Sequence, residues 1–141
     1  MIKKVFVDTD IILDVALARK EFVENSKLIL ALAENNYFQC YTSSVIIKNV
    51  YYILRKSGGD SSSRIFLKSL LKYISILSVD QNDIENAIES NFTDFEDAVQ
   101  HSVAVRNHCD LFVTRNIFDF KLATLQVYLP IELIKIFKEK L

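Results

Sequence analysis

Short apolar runs alternate along the chain with longer stretches in which apolar residues recur every three or four positions. The short runs predict strands at 3–7, 37–41, 74–79, 110–113 and 125–128. The periodic stretches predict helices at 11–19, 22–34, from Ser43 or Ser44 to about Arg55, 61–73, 81–90, 94–107, and from Pro130 onward. Strands that alternate with helices predict an α/β sandwich with a central, mostly parallel sheet of about five strands.

The length and composition fit one domain over residues 1–141, with 50% hydrophobic and 25% charged residues and no visible linker or repeat. The two glycines, Gly58 and Gly59, are adjacent. This excludes a Walker A loop and a dinucleotide fingerprint, because both require spaced glycines. Cys40 and Cys109 match no zinc spacing and are expected to be reduced core thiols. Without a signal peptide or an apolar span, a cytoplasmic protein with no membrane attachment is expected.

Acidic and amide side chains lie where the strands are expected to end. Asp8 directly follows the first strand, and Asn116 and Asp119 follow the fourth. Ligands of parallel sheets bind beyond the carboxyl ends of the strands. Asp97 lies near the buried stripe of the 94–107 helix, whereas Asp94 is best explained as its N-cap. Taken one at a time, these residues have ordinary explanations: Asp8 could cap a helix, Asp97 could face solvent, and Asn116 and Asp119 could belong to a strand-to-loop turn. Taken together, the acids suggest a Mg²⁺ or Mn²⁺ site.

The net charge of −1 conceals two segregated stretches. Positions 80–97 hold seven acids and no Lys or Arg, whereas positions 40–72 hold six basic residues and one acid. This pattern favours an acidic metal pocket beside a basic surface for phosphate groups, and a solvated helix face explains the basic stretch equally well. Nearer to the expected site, the candidates for phosphate or RNA contact are Arg19, Arg115 and Lys121.

Three segments resemble, in order and spacing, the motifs of the PIN domain family, the fold of VapC-type toxin ribonucleases: Val7–Asp14, Asp94–Gln100, and Thr114–Asn116 with Asp119-Phe120. The resemblance covers essentially the whole chain. It implies that Asp8 and Asp97 bind a metal ion, with Thr9, Asp94 and Thr114 in supporting roles. It also implies a PIN-like α/β/α sandwich, Mg²⁺ or Mn²⁺ as cofactor, an RNA substrate, an antitoxin partner and a homodimer.

Two positions depart from the family pattern. Asn49 aligns with the usual second acid, a Glu, and Asn116 stands where an Asp is common. The pocket is therefore expected to offer Asp8, Asp97 and Asp119 as charged metal ligands, with Asn49 and Asn116 as neutral ones. Amide oxygens also coordinate hard cations, and each lost charge weakens binding.

The leading interpretation is a Mg²⁺- or Mn²⁺-dependent endoribonuclease, the toxin of a type II toxin–antitoxin pair, whose catalytic residues are Asp8, Asp97, Asp119, Asn116 and Asn49. Because of its two Asn substitutions, a weakened PIN-like module that binds RNA or protein without cleavage is an alternative. A third interpretation is a haloacid-dehalogenase-like phosphatase, since an apolar strand precedes Asp8-Thr9-Asp10. Against it, no strand directly precedes Asp94, and a convincing phosphate-binding Lys is absent.

Overall fold

Residues 2–139 are the part of the chain that the computed structural model describes. Its strands are β1 (Lys4–Val7), β2 (Gln39–Ser43), β3 (Ile74–Leu77), β4 (Leu111–Val113) and β5 (Gln126–Tyr128). Its α-helices are α1 (Thr9–Ala16), α2 (Val23–Glu34), α3 (Ser44–Leu70), α4 (Gln81–Glu89), α5 (Phe95–Arg106) and α6 (Pro130–Lys138). A 3₁₀ helix, Ile117–Phe120, follows β4.

The five strands form one parallel sheet in the order β3-β2-β1-β4-β5. This confirms the predicted α/β class. The central strand β1 is apolar because it is covered on both faces, and Val5, Phe6 and Val7 are fully buried. The ring of Phe6 stacks on that of Phe112 in β4, with 4.9 Å between centroids. Parallel pairing brings the carboxyl ends of β1, β2 and β4 to one edge of the sheet.

The helices pack in two groups. Helix α1 contacts α2 and α3, and α2 also contacts α6, whereas α4 and α5 pack mainly on each other. Because α1 directly follows β1 and α3 directly follows β2, both helices begin at the carboxyl edge of the sheet. Among residues 2–139, no helix is long and apolar enough to span a membrane. Cys40 and Cys109 are buried free thiols, as predicted.

Two helix predictions need correction. The helix predicted at 11–19 is α1 and begins two residues earlier, at Thr9, because Asp8 is its N-cap. The helices predicted at 44–55 and 61–73 belong to one helical run, α3, which is interrupted at Gly59. Gly59 has φ of 85°, a conformation that glycine adopts without steric cost, so the predicted break is present as a kink. The 3₁₀ helix after β4 was not predicted.

Candidate active site

Asp8 lies at the carboxyl end of the central strand, and its side chain is held from two directions. One carboxylate oxygen accepts a hydrogen bond from the Thr9 N–H at 2.8 Å, and the other accepts one from the Thr114 hydroxyl at 2.7 Å. Only 5% of the residue is exposed. Burial raises the pKa of Asp8 to about 6, although the hydrogen bonds from Thr114 and Thr9 act in the opposite direction.

Asp97 lies in the first turn of α5, and its backbone N–H donates to the carboxylate of the N-cap Asp94 at 2.9 Å. This cap confirms the expected role of Asp94 at the helix start. Burial and neighbouring negative charges raise the pKa of Asp97 to about 7. The neighbours are, in decreasing order of effect, Asp8, Asp94, Asp119 and Glu96. Acids from β1, α5 and the 3₁₀ helix therefore repel one another across a short space.

An open cleft of about 540 Å³ lies between these elements, at the carboxyl edge of the sheet. It brings together residues that are far apart in the sequence. The predicted site residues that line it are Asp8, Thr9, Arg19, Asn49, Asp94, Asp97, Asn116 and Asp119. Thr114 lies behind Asp8 as its hydrogen-bond donor, and its hydroxyl oxygen also accepts from the Asn116 N–H at 3.0 Å. Thr114 thus couples the position of Asp8 to the loop that carries Asn116.

The cleft also contains an acid that the sequence did not single out. The Glu96 carboxylate accepts a hydrogen bond from the Asn49 side-chain amide at 2.7 Å, so the two residues bridge α5 and α3. A negative charge in the first turn of a helix is favourable in itself, so the local sequence points to no further role for Glu96. Its position in the cleft depends on how α5 packs beside α3, which no local pattern reveals.

The three predicted phosphate-contacting residues have different surroundings. Arg19 lines the cleft, with its guanidinium 3.7 Å from the Asp10 carboxylate and 3.4 Å from that of the buried Asp14. Arg115 lies outside the cleft lining and makes two shorter hydrogen bonds with the same Asp14, at 2.9 and 3.1 Å, and its guanidinium lies over a phenylalanine ring. The Lys121 ammonium lies 5.8 Å from the Phe118 ring, and Lys121 is not among the cleft-lining residues. Of the three, Arg19 has the placement best suited to contact a ligand in the cleft.

One further side chain in the cleft was missed by the sequence reasoning. Gln100 lies one turn beyond Glu96 on α5 and is 1% exposed. Within residues 2–139, neither its side-chain nitrogen nor its oxygen has a hydrogen-bond partner. A buried amide without partners is costly, and one that lines a cleft is typical of a position completed by water or a ligand.

Comparison with known protein families identifies the fold that carries these residues. Residues 4–118 match the profile of the PIN domain. The chain belongs to the PIN domain family. A curated relative, ribonuclease VapC1 of Aquifex aeolicus (strain VF5), is 30% identical over 119 residues, which span 81% of this chain and 82% of the relative.

Solved structures of known proteins share the PIN fold. A chain in a toxin–antitoxin complex from Klebsiella pneumoniae is 20% identical, with a TM-score of 0.68 over 89% of this chain and 97% of that chain. VapC20 of Mycobacterium tuberculosis, a sarcin–ricin loop cleaving toxin, is 16% identical, with a TM-score of 0.61 over 77% of this chain and 86% of that chain. PIN domain membership does not support the haloacid-dehalogenase-like alternative.

The donor set of this PIN domain cleft suits a hard divalent cation, since it consists of carboxylate and amide oxygens. In the described part of the chain, no three His, Cys, Asp or Glu side chains are drawn together as a closed metal cluster. Mg²⁺ keeps several of its water molecules and is held by one or two carboxylates, which Asp8 and Asp97 would supply. The mutual repulsion of Asp8 and Asp97 is a second observation that fits a cation between them.

Proposed function

We propose that this PIN domain protein is a Mg²⁺- or Mn²⁺-dependent endoribonuclease and the toxin of a toxin–antitoxin pair. The observation that carries the proposal is the meeting of Asp8 and Asp97, each with a raised pKa, in one open cleft at the carboxyl edge of the sheet. Perturbed carboxylates in a cleft are typical of functional sites. The relatives support the choice of reaction, because VapC1 is named a ribonuclease and VapC20 a toxin that cleaves the sarcin–ricin loop.

In this proposal Asp8 and Asp97 hold the cation, and Asp119 lies across the cleft as a third acid. Asn49 and Asn116 offer neutral amide oxygens. A cation held there would supply activation of a water molecule and neutralisation of negative charge on the scissile phosphodiester.

The protein's own groups then fix the geometry. The Thr114 hydroxyl and the Thr9 N–H orient the two oxygens of Asp8, and Asp94 fixes the first turn of α5. Arg19, at the edge of the cleft, is placed to contact a phosphate group of the RNA. Tyr52 also lines the cleft with 52% of its surface exposed, and the Lys56 ammonium lies 4.4 Å from its ring.

The protein is also proposed to bind an antitoxin and to form a homodimer. The likeness to a chain of the Klebsiella toxin–antitoxin complex supports an antitoxin as partner. A cytoplasmic location and a homodimer stay predictions from the family resemblance, and measurement of the mass in solution tests the dimer.

The deciding experiment compares RNA cleavage by the wild type, Asp8→Asn and Asp97→Asn in the presence of Mg²⁺ or Mn²⁺. Each variant should lose at least about 100-fold in rate, which corresponds to roughly 3 kcal/mol of transition-state stabilisation. Asp110→Asn is the matched control, because Asp110 precedes β4 at the opposite end of the sheet, where it accepts a hydrogen bond from the Lys4 N–H.

Equal cleavage by the wild type and both cleft variants would overturn the proposal, since the activity would then come from a contaminant. Metal and RNA binding by a wild-type protein that does not cleave RNA would favour the weakened binding module instead. That outcome would indicate that Asn49 and Asn116, in place of the usual acids, abolish cleavage.

A further inference from the structure

Glu96 and Asn49 form a side-chain pair across the cleft. The Asn49 amide nitrogen donates to one oxygen of the Glu96 carboxylate at 2.7 Å, and both residues line the cleft. We propose that Glu96 is a further metal-binding carboxylate of this site and that Asn49 positions it, so that the pair acts as one singly charged unit. The inference rests on the proposed metal-dependent function.

The geometry of the hydrogen bond leaves the relevant atoms available. Asn49 uses its nitrogen as the donor, so its side-chain oxygen is not needed for this contact. Glu96 accepts at one oxygen, which leaves the second oxygen for a ligand. Across residues 2–139, the Glu96 carboxylate makes no ion pair with a Lys or Arg side chain. Its charge is therefore uncompensated by a basic residue, as are those of Asp8 and Asp97.

A role limited to helix stabilisation does not account for Glu96. The first turn of α5 already has an N-cap, Asp94, and a second acid, Asp97. A third negative charge there is close to two others, because Glu96 lines the same cleft as Asp94 and Asp97. The favourable interaction of an exposed acid with a helix amino end is only about 0.3–1 kcal/mol. A bound cation would turn the repulsion among these charges into attraction.

The unpaired amide of Gln100 is independent evidence that something binds here. Gln100 follows Glu96 by four positions, so the two side chains share one face of α5, and both line the cleft. Gln100 is buried, and its two polar atoms have no partner among residues 2–139. Buried amides normally have hydrogen-bond partners. The Gln100 amide is therefore suited to bind a water molecule or a ligand oxygen in the cleft.

The identity of residue 49 agrees with this assignment. An acid at position 49 would face Glu96 at hydrogen-bond distance and would repel it. An amide donates to the carboxylate and keeps a single negative charge in the pair. The same charge would result from an acid at position 49 and an amide at position 96. The two positions should therefore be exchangeable.

The test measures Mn²⁺ binding by calorimetry, with the Mn²⁺-induced rise in melting temperature as a second readout that does not depend on activity. Glu96→Gln removes the charge and keeps an oxygen that can accept from Asn49. It should weaken Mn²⁺ binding by about tenfold or more, which is in the range measured when residues around a metal are replaced. Glu89→Gln is the control, since Glu89 is an exposed acid on α4 outside the cleft.

The exchange variant, Glu96→Gln with Asn49→Glu, places the charge on α3 and should recover most of the lost affinity. Melting curves in EDTA verify that each variant is folded. A wild type that binds no Mn²⁺ would overturn the proposed function together with this inference. Equal affinity of the wild type and Glu96→Gln would overturn this inference alone. Loss of affinity in Glu96→Gln without recovery in the exchange variant would overturn the pairing of the two positions.

Discussion

Two sets of acids that are wholly or partly buried in this protein differ in what surrounds them. Asp8 and Asp97 lie in the cleft, and burial raises the pKa of both. Asp83, on α4, is fully buried but forms an ion pair with Arg106 of α5 at 2.9 Å. Burial alone would raise the pKa of Asp83, yet hydrogen bonds from Arg106, the Asp80 N–H and Ser102 lower it below the usual value.

The difference separates an acid that stabilises the fold from the acids that we propose to bind a cation. A buried carboxylate with an arginine partner and full hydrogen bonding has no need of an external cation. Asp8 has two hydrogen-bond donors, but among residues 2–139 neither Asp8 nor Asp97 has an arginine or lysine at ion-pair distance. Their unfavourable charge is tolerated in the folded protein, which is typical of sites that trade stability for function.

Among the variants that test this difference, Asp83→Asn should have the largest effect on stability. The substitution leaves Arg106 without its buried carboxylate, and we expect a loss of about 2–4 kcal/mol in the free energy of unfolding. Urea unfolding measures the loss, and Mn²⁺ affinity should stay unchanged because α4 does not line the cleft.

Asp80→Asn provides the control, since Asp80 is an exposed partner of the same arginine at 3.3 Å. Its loss should be below about 1 kcal/mol. Similar losses in the two variants would contradict the distinction between buried and exposed partners.

The second prediction concerns Arg115, whose sequence position suggested phosphate contact. Its planar guanidinium binds both oxygens of Asp14 and stacks on Phe22 at 3.7 Å. Arg115→Lys keeps the charge but loses the two-point contact, and we expect a loss of about 1–2 kcal/mol in unfolding free energy. RNA cleavage per folded molecule should not change.

Lys121→Gln is the comparison variant, because Lys121 is exposed. It should leave stability unchanged. If Arg115→Lys weakens RNA binding without any loss of stability, the arginine contacts phosphate after all.

The residues that sequence could identify are those whose role is set by their immediate neighbours. Asp8 follows an apolar run, so its place at a strand end was predictable, and the order of strands and helices followed from local periodicity. Asp97 was identified by family resemblance and by its place near the buried stripe of its helix. In each case a few adjacent residues carry the information.

The contacts missed by the sequence link distant residues. Glu96 and Asn49 are 47 positions apart, and Arg115 and Asp14 are 101 apart. Their partners depend on how helices rotate and pack against the sheet, and that is decided by the whole core. Gln100 was missed for a related reason, since the absence of a hydrogen-bond partner is a property of the packed structure.

Gln100→Leu separates a structural amide from one that faces a ligand. Replacing an unsatisfied buried amide by an apolar side chain of similar size should leave stability unchanged or raise it. Mn²⁺ affinity should fall by about tenfold, as for other residues next to a metal site. Calorimetry and urea unfolding in EDTA measure the two effects, and the exposed Gln81→Leu is the control. A loss of stability with normal Mn²⁺ affinity would assign Gln100 to the core alone.

The smallest expected effect is on the pH dependence of stability without metal. The pKa of Asp97 is about 7 in the folded protein against a usual value of 3.8, so the folded state binds more protons than the unfolded state between these pH values. Stability in EDTA should therefore fall as the pH rises from about 4 to 7. Asp8, with a pKa of about 6, acts in the same direction. His101 acts in the opposite direction, because burial lowers its pKa.

The difference between the wild type and Asp97→Asn isolates the Asp97 contribution, because His101 and Asp8 are present in both proteins. Relative to the variant, the wild type should lose roughly 3–6 °C in melting temperature between pH 5 and pH 8 in EDTA. Saturating Mn²⁺ should remove the difference, since a cation stabilises the ionised carboxylate. Asp110→Asn should run parallel to the wild type at every pH. Parallel curves for Asp97→Asn and the wild type would show that Asp97 is an ordinary surface acid, and the contrast with Asp83 would then rest on Asp8 alone.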